Sequence, residues 1–291
     1  MHGFLVVDKP LGISSRDAVN RVQAALPKDV RVGHTGTLDP LATGVLVLAL
    51  GQGTRLTDYV QAQTKEYRAS VRFGATSATD DAEGPFTPTP DARFPSRDEL
   101  LTALAEFVGS VSQTPPTFSA AHVDGRRAYR LARQGKTVEL KPKSVRIDRI
   151  DLGEYRSPDA FLTIQCGKGT YIRSIARDLG QRLGCGAYLT SLRRTRIGAF
   201  LDSQAISIDG SAASFPAALR PLKEAVVGTT RVNLTADEIR RLGMGQLVAT
   251  DSAFADGSEI AVFDDAERLR ALATVEGKRL RPAKVFLCAN E

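Results

Sequence analysis

The sequence predicts an α+β fold with a small β-barrel-type module at its C-terminal end, and three observations carry that expectation. Glu66–Phe73 alternates strictly, with Tyr67, Ala69, Val71 and Phe73 facing one way and Glu66, Arg68, Ser70 and Arg72 the other, as in a half-buried strand. Ser14 with Asp17, and Ser96 with Glu99, fit capping boxes in front of residues at helical spacing. From Arg231 the pattern restarts as a short helix followed mostly by short strands.

Taken in order, Gly3–Val7 is a short apolar strand ending in DKPLGISS, where Pro10 and Gly12 make a turn. The first helix carries Ala18, Val19, Val22, Ala25 and Leu26 at helical spacing and stops at Pro27. Gly33–Leu46 then reads GHTGTLDPLATGVL, and Val45–Leu50 is an apolar run expected to form a buried strand. A helix is expected over Arg55–Gln61. After Phe73 comes a loop rich in Gly, Pro, Thr and acids, GATSATDDAEGPFTPTPDARFP. The helix capped by Ser96 turns Leu100, Leu101, Leu104, Phe107 and Val108 inward.

QTPPTFSA is a rigid proline loop leading into HVDGRRAYRLARQG, a short basic helix ending at Gly135. Lys136–Leu152 forms one or two strands and Phe161–Cys166 another. CGKGTYIRSIARDLG turns through Gly167 and Gly169 into a helix, and SLRRTRIGAF is a basic strand. Ser211–Pro221, rich in Ala, Ser and Pro, reads as the tail of a first domain. The expected division is residues 1–225 and 226–291. The second part holds a helix over Thr235–Leu242, a GMGQ turn and strands near Glu259–Phe263, Ala271–Val275 and Ala283–Leu287.

Composition narrows the function. The net charge of +6 favours a polyanionic partner, most simply nucleic acid. Cys166, Cys185 and Cys288 are odd in number and far apart, which argues against a disulfide framework or a zinc site and fits a reducing compartment. The three histidines form no HxxxH or HExxH pair. No stretch approaches the length of a membrane span, and MHGFLVVDKP is too short an apolar run for a signal peptide, so a cytoplasmic protein is expected. GKGT at Gly167–Thr170 lacks the spacing of a phosphate loop, GQG at Gly51–Gly53 lacks the third glycine of a dinucleotide motif, and there is no GxSxG elbow.

What remains is a sparse set in turns bounded by glycine or proline: Lys9, His34, Asp39, Tyr67, and Tyr171 with Arg173. Asp39 sits between closely spaced glycines and Pro40, which restricts its backbone to extended geometry. Taken alone it is an ordinary Asp-Pro turn. One carboxylate, one arginine and one or two phenols together suggest covalent or acid–base chemistry without a metal. An arginine beside a buried aspartate keeps it ionised. Taken singly, His34 reads as a structural histidine, Tyr67 as core and Arg173 as surface charge. The clusters Arg126, Arg127, Arg130, Arg133 and Arg193, Arg194, Arg196 read as solvated faces, although their interleaving with Tyr129 and Tyr171 suits RNA.

These motifs together resemble the TruB family of bacterial tRNA pseudouridine-55 synthases over essentially the whole chain. GFLVVDKPLGISS is similar to the family's first motif, and GHTGTLDPLATGVL to its signature, whose nucleophilic aspartate maps to Asp39. KEYRASVRFG carries the active-site tyrosine at Tyr67, and GATSATDDAEG places Asp81 at the position of the family's aspartate. CGKGTYIRSIARDLG carries the arginine at Arg173 and an RNA-contacting tyrosine at Tyr171, and YLTSLRRTRIGAF supplies Leu192 to the pocket. Relatives often have lysine where this chain has His122, so no phosphate contact is expected there.

The resemblance implies a pseudouridine synthase fold, a mixed, largely antiparallel sheet flanked by helices, with a PUA-like RNA-binding module at the C-terminal end. It implies isomerisation of a uridine flipped out of the tRNA T loop. His34 would brace the vacated space, Tyr67 would stack on the base, Asp39 would attack the sugar or the ring, and Arg173 would hold Asp39. Lys9, Tyr171 and Leu192 would contact substrate. No metal or cofactor is required, tRNA (T-arm) is the expected partner, and the chain is expected to be a monomer with no membrane association. An alternative is a tRNA-folding chaperone whose role is independent of catalysis. Two further rivals are a nucleosidase releasing free base and a guide-RNA-dependent relative.

Overall fold

The computed structural model describes residues 1–119, 121–123, 125–135, 138–210, 214–250 and 253–286, without the side chains of 122, 123, 126, 127 and 133. In chain order the first half contains β1 Gly3–Lys9, α1 Ser15–Ala24, β2 Val32–His34, β3 Ala42–Leu50, α2 Thr57–Ala62 and β4 Lys65–Phe73. There follow β5 Ala75–Ser77, β6 Phe86–Pro88, α3 Arg97–Ala105, β7 Gly109–Gln113, β8 His122–Val123, β9 Arg126–Arg127 and α4 Ala128–Arg133. Next come β10 Lys143–Arg156, β11 Asp159–Cys166, α5 Ile172–Arg182, β12 Ala187–Ile197, β13 Phe200–Leu201 and β14 Ile206–Ser207. The C-terminal part has β15 Arg231–Asn233, α6 Ala236–Gly243, β16 Val248–Ala249, β17 Glu259–Phe263, β18 Leu269–Glu276 and β19 Arg279–Val285.

The main sheet runs β14-β1-β3-β12-β4-β11-β10-β7, with β13 added to β12 and β2 to β3. Only β1–β14 and β3–β12 pair in parallel, so the sheet is mixed and largely antiparallel, as expected. One face buries α1, α3 and α5 through Val19, Val22, Leu100, Leu104, Ile175 and Leu179. These helices form where the sequence places their caps: Ser14 accepts from the Asp17 amide and Ser96 from the Glu99 amide, each acid answering its cap backbone. β1 and β3 are covered on both faces, which is why FLVV and VLVLAL lack polar alternation.

The other face of β1 and β3 carries the C-terminal module. Its sheet, β15-β17-β18-β19-β16, curls into a half-barrel with α6 packed against it. Along β17, Ile260 and Val262 join Leu234, Ile239 and Leu242 in the module's own core. Ala261 and Phe263 point the other way, onto Phe4, Val6, Val45, Val47 and Phe200. Arg55 lies over the Phe286 ring at 5.2 Å, and the Tyr59 hydroxyl donates to Glu259 at 2.5 Å across the same junction.

Several local expectations are corrected. Leu101 in α3 and Val108 beyond its end are exposed, and Ala103 takes the inward place beside Leu100 and Leu104, because positions three and four apart share a helix face. The acidic loop contains the hairpin β5–β6. The expected basic helix is reduced to α4, preceded by the hairpin β8–β9 that turns at Gly125. Of the one or two strands expected over Lys136–Leu152, the described residues form one, β10, whose pairing with β11 shifts register twice. β7 escapes detection because GSVSQ is polar and lies at the sheet edge. The expected strand end at Leu287 and the third cysteine, Cys288, lie outside the described residues, as does part of Ser211–Pro221.

Candidate active site

Asp39 lies on the connection between β2 and β3, and that connection is pinned from several sides. Ser15, at the start of α1, donates from its hydroxyl to the Leu38 carbonyl at 2.9 Å and accepts from the Leu38 amide at 2.8 Å. The Gly12 amide donates to the Pro40 carbonyl at 2.9 Å, and the Ala42 amide to the Asp39 carbonyl at 3.0 Å. The glycines of the signature stretch act differently from the expected backbone freedom. Gly33 and Gly36 have no left-handed φ, whereas Gly44, inside β3, has φ +94°. A Cβ on Gly44 would stand 2.3 Å from the Arg194 carbonyl oxygen, so glycine here permits β12 to lie close.

Arg173 emerges from the first turn of α5 and is nearly buried, yet it reaches Asp39 at 2.8 Å and Asp81 at 3.3 Å. Its guanidinium also donates to the Thr79 and Phe118 carbonyls, each at 3.0 Å. Asp81 is 2% exposed and is held by the Thr79 hydroxyl at 2.5 Å and the Glu83 amide at 3.0 Å. The acidic loop, the proline loop and the Asp39 loop thus meet on one cation. α5 is started by Tyr171, whose amide donates to Gln113 at 2.8 Å while Gln113 returns a bond to the Tyr171 carbonyl at 3.1 Å.

A cleft of about 690 Å³ opens beside this pair. It is lined by Thr35–Asp39, Gln61, Lys65, Tyr67, Gly167–Arg173, Leu192 and Arg194. Asp39, Tyr67, Tyr171, Arg173 and Leu192, far apart in the chain, therefore share one wall system. Tyr67 is on β4 and 8% exposed, and burial pushes its phenol up from the ordinary range. Lys65, at the start of the same strand, donates to the Gln61 and Gln63 carbonyls, and burial lowers its ammonium to about 8. Among the described residues no group of three or more His, Cys, Asp or Glu side chains could hold a metal ion.

Two expected site residues, Lys9 and His34, lie outside this lining. Lys9 is fully buried, and its ammonium donates to the carbonyls of Pro10 and Ile13 at 2.8 Å and of Pro40 at 3.4 Å. These bonds clamp it beneath the Asp39 loop. His34 sits on β2 opposite Leu48, one residue before the lining of the cleft begins at Thr35. The His122 side chain lies outside the described residues.

Arg194 is the main residue that sequence reasoning misplaced. Assigned to a solvated basic face, it is 2% exposed and donates to the carbonyls of Val45 at 2.8 Å, Gly36 at 3.2 Å and Thr37 at 3.4 Å. The signal was present: two residues beyond Leu192 on a strand, Arg194 must share its face. Arg193 points to the opposite face and pairs with Asp8 at 2.9 Å.

A carboxylate on a pinned loop, joined to a buried arginine and facing an open cleft, suits an enzyme of nucleophilic or acid–base chemistry. Residues 24–172 match the TruB family pseudouridylate synthase N-terminal domain, and residues 173–214 the tRNA pseudouridylate synthase B C-terminal domain. The tRNA pseudouridine synthase B of Syntrophomonas wolfei is 38% identical over 98% of this chain and 99% of its own. That of Thermobifida fusca is 41% identical over 98% of each chain. The chain belongs to the TruB family of pseudouridylate synthases. Among solved structures, a Cbf5–Nop10–Gar1 complex is similar at a TM-score of 0.76 and 24% identity, covering 99% of this chain and 86% of that one. This likeness concerns the fold, and it extends through the C-terminal half-barrel that neither family match reaches.

Proposed function

We propose that the protein isomerises uridine to pseudouridine at position 55 in the T loop of tRNA, with Asp39 as nucleophile. The observation that carries this reading is the Asp39–Arg173 pair at 2.8 Å within the family signature, in a cleft large enough for a flipped nucleotide. Family membership and the names of relatives at about 40% identity support tRNA as the substrate.

The reaction exchanges the N1–C1′ bond of uridine for a C5–C1′ bond. The proton on C5 leaves and N1 gains one, with no net oxidation. Arg173 neutralises and aims Asp39, which attacks at the ribose or at the ring. Tyr67 stacks on the base and stands near for the closing proton removal. Leu192 and Tyr171 line the pocket, and His34 at its rim occupies space that the flipped base leaves. Residues 226–291, which contain the half-barrel, serve as a PUA-like RNA-binding module. The protein acts as a cytoplasmic monomer; among the described residues no helix is long and apolar enough to cross a membrane.

The test is incubation with an unmodified tRNA transcript followed by mapping of pseudouridine. A single product in the T loop is expected. Product elsewhere, or free uracil in solution, overturns the reading.

A further inference from the structure

We propose that Arg194 is the positioning residue that locks the Asp39 loop and the Tyr67 phenol into one fixed relation. The proposal rests on the roles given to Asp39 and Tyr67 above. β12 lies between β3, which leads out of the Asp39 loop, and β4, which carries Tyr67. At one level of the sheet Arg194 pairs with Gly44 on one side and Tyr67 on the other. Its side chain completes the same bridge. Three N–H groups reach the carbonyls of Gly36, Thr37 and Val45, and Tyr67, its partner across β12 and β4, lines the same cleft within reach of its charge.

The arrangement is costly unless it serves a purpose. Arg194 is 2% exposed, and among the described residues it forms no salt bridge. A buried cation met only by neutral groups is an expensive way to fill space, and an apolar side chain of similar volume would serve packing alone better. What an apolar side chain cannot do is hold the Asp39 loop with directional bonds and place a positive charge beside a phenol. Burial disfavours the phenolate of Tyr67, and Arg194 offsets that. Gly44 protects the geometry, since any Cβ there would push β12 and its arginine away.

The test uses full-length Arg194→Gln and Arg194→Lys with an unmodified tRNA transcript. Three quantities are read: tRNA affinity, the single-turnover rate against pH, and the Tyr67 titration taken as an ultraviolet difference against Tyr67→Phe in each background. Arg194→Gln is expected to slow the bound-state step by about 100-fold, the scale of a small misplacement of reacting groups, with tRNA affinity kept. Its Tyr67 titration should move to higher pH. Arg194→Lys keeps the charge but not the fork, so it should restore the titration more than the rate. A wild-type rate in Arg194→Gln overturns the proposal, and so does a slowed Arg194→Gln whose Tyr67 titration has not moved. If Arg194→Gln does not fold, Arg194→Lys decides: a folded Lys variant with wild-type rate overturns it. Failure of the wild type to make pseudouridine would instead strike the functional reading, and the Tyr67 titration would still report whether Arg194 controls the phenol.

Discussion

Arg173 and Asp39 meet at 2.8 Å although one side chain is 5% exposed and the other 37%. The cation is built into the protein and the anion is presented to the cleft. A second carboxylate, the buried Asp81 at 3.3 Å, holds the guanidinium from behind. Asp39 is thus oriented from the interior while one side of it stays open to a substrate.

Asp39→Asn keeps the shape of the loop and removes the nucleophile. Pseudouridine formation should fall by at least about 10³-fold, as for loss of a principal catalytic group. Binding of the tRNA transcript, measured by filter retention, should be unchanged. Product at the wild-type rate would sink the assignment of Asp39.

Arg173→Met should cost stability as well as activity. Asp81 would remain buried without its cation, a loss of about 3–5 kcal/mol for a broken buried pair. Urea unfolding followed by circular dichroism measures it. Adding Asp81→Asn to Arg173→Met should recover part of the loss, and no recovery would place the cost elsewhere.

Gly44 and Gly36 should behave differently although both belong to the signature stretch. Gly44→Ala forces a Cβ to 2.3 Å from the Arg194 carbonyl at a left-handed φ, and should destabilise by at least about 2 kcal/mol. In Gly36→Ala the nearest neighbour of the new Cβ, the Arg194 guanidinium, is 3.8 Å away. Stability there should stay within about 0.5 kcal/mol. Thermal melts of the two variants decide the point.

Burial lowers Lys9 to about 8 from its ordinary value of 10.5. Between these values the unfolded chain carries the proton and the folded chain does not, so this group's contribution to stability rises with pH across that window. Below it, the folded state must keep a buried ammonium. Lys9→Met has no such proton. The difference in urea midpoint between wild type and Lys9→Met should therefore shift in favour of the wild type from about pH 8 to 10. A flat difference would show that Lys9 titrates alike in both states.

Removal of residues 227–291 would uncover Phe4, Val6, Val45, Val47 and Phe200 on the back of the main sheet. The truncated chain is expected to aggregate or lose its cooperative melt, read by light scattering and calorimetry. A well-folded truncated monomer would mean that the half-barrel is an accessory to the catalytic part.

Much was legible in the chain because it depends on neighbours along it. The capping boxes of α1 and α3 and the alternation of β4 are local patterns, and each formed where it was written. Asp39, Tyr67 and Arg173 stood out as polar groups in turns or at a strand start, and the structure brings all three to one cleft. Lys9 and Arg194 were harder to place. A cation in a sequence looks solvated unless one knows which carbonyls will surround it, and theirs come from residues up to 158 positions away.

By itself, then, the sequence determined the elements, the candidate reactive groups and the family pattern, since periodicity, capping and motif spacing are properties of the chain. Only the tertiary structure decided which cations face solvent and which hold the site together. It also decided that Gly44 is needed for a close approach of β12, and that the half-barrel completes the core behind β1 and β3. Burial and hydrogen-bond partners arise from packing between distant segments, and no single segment encodes them.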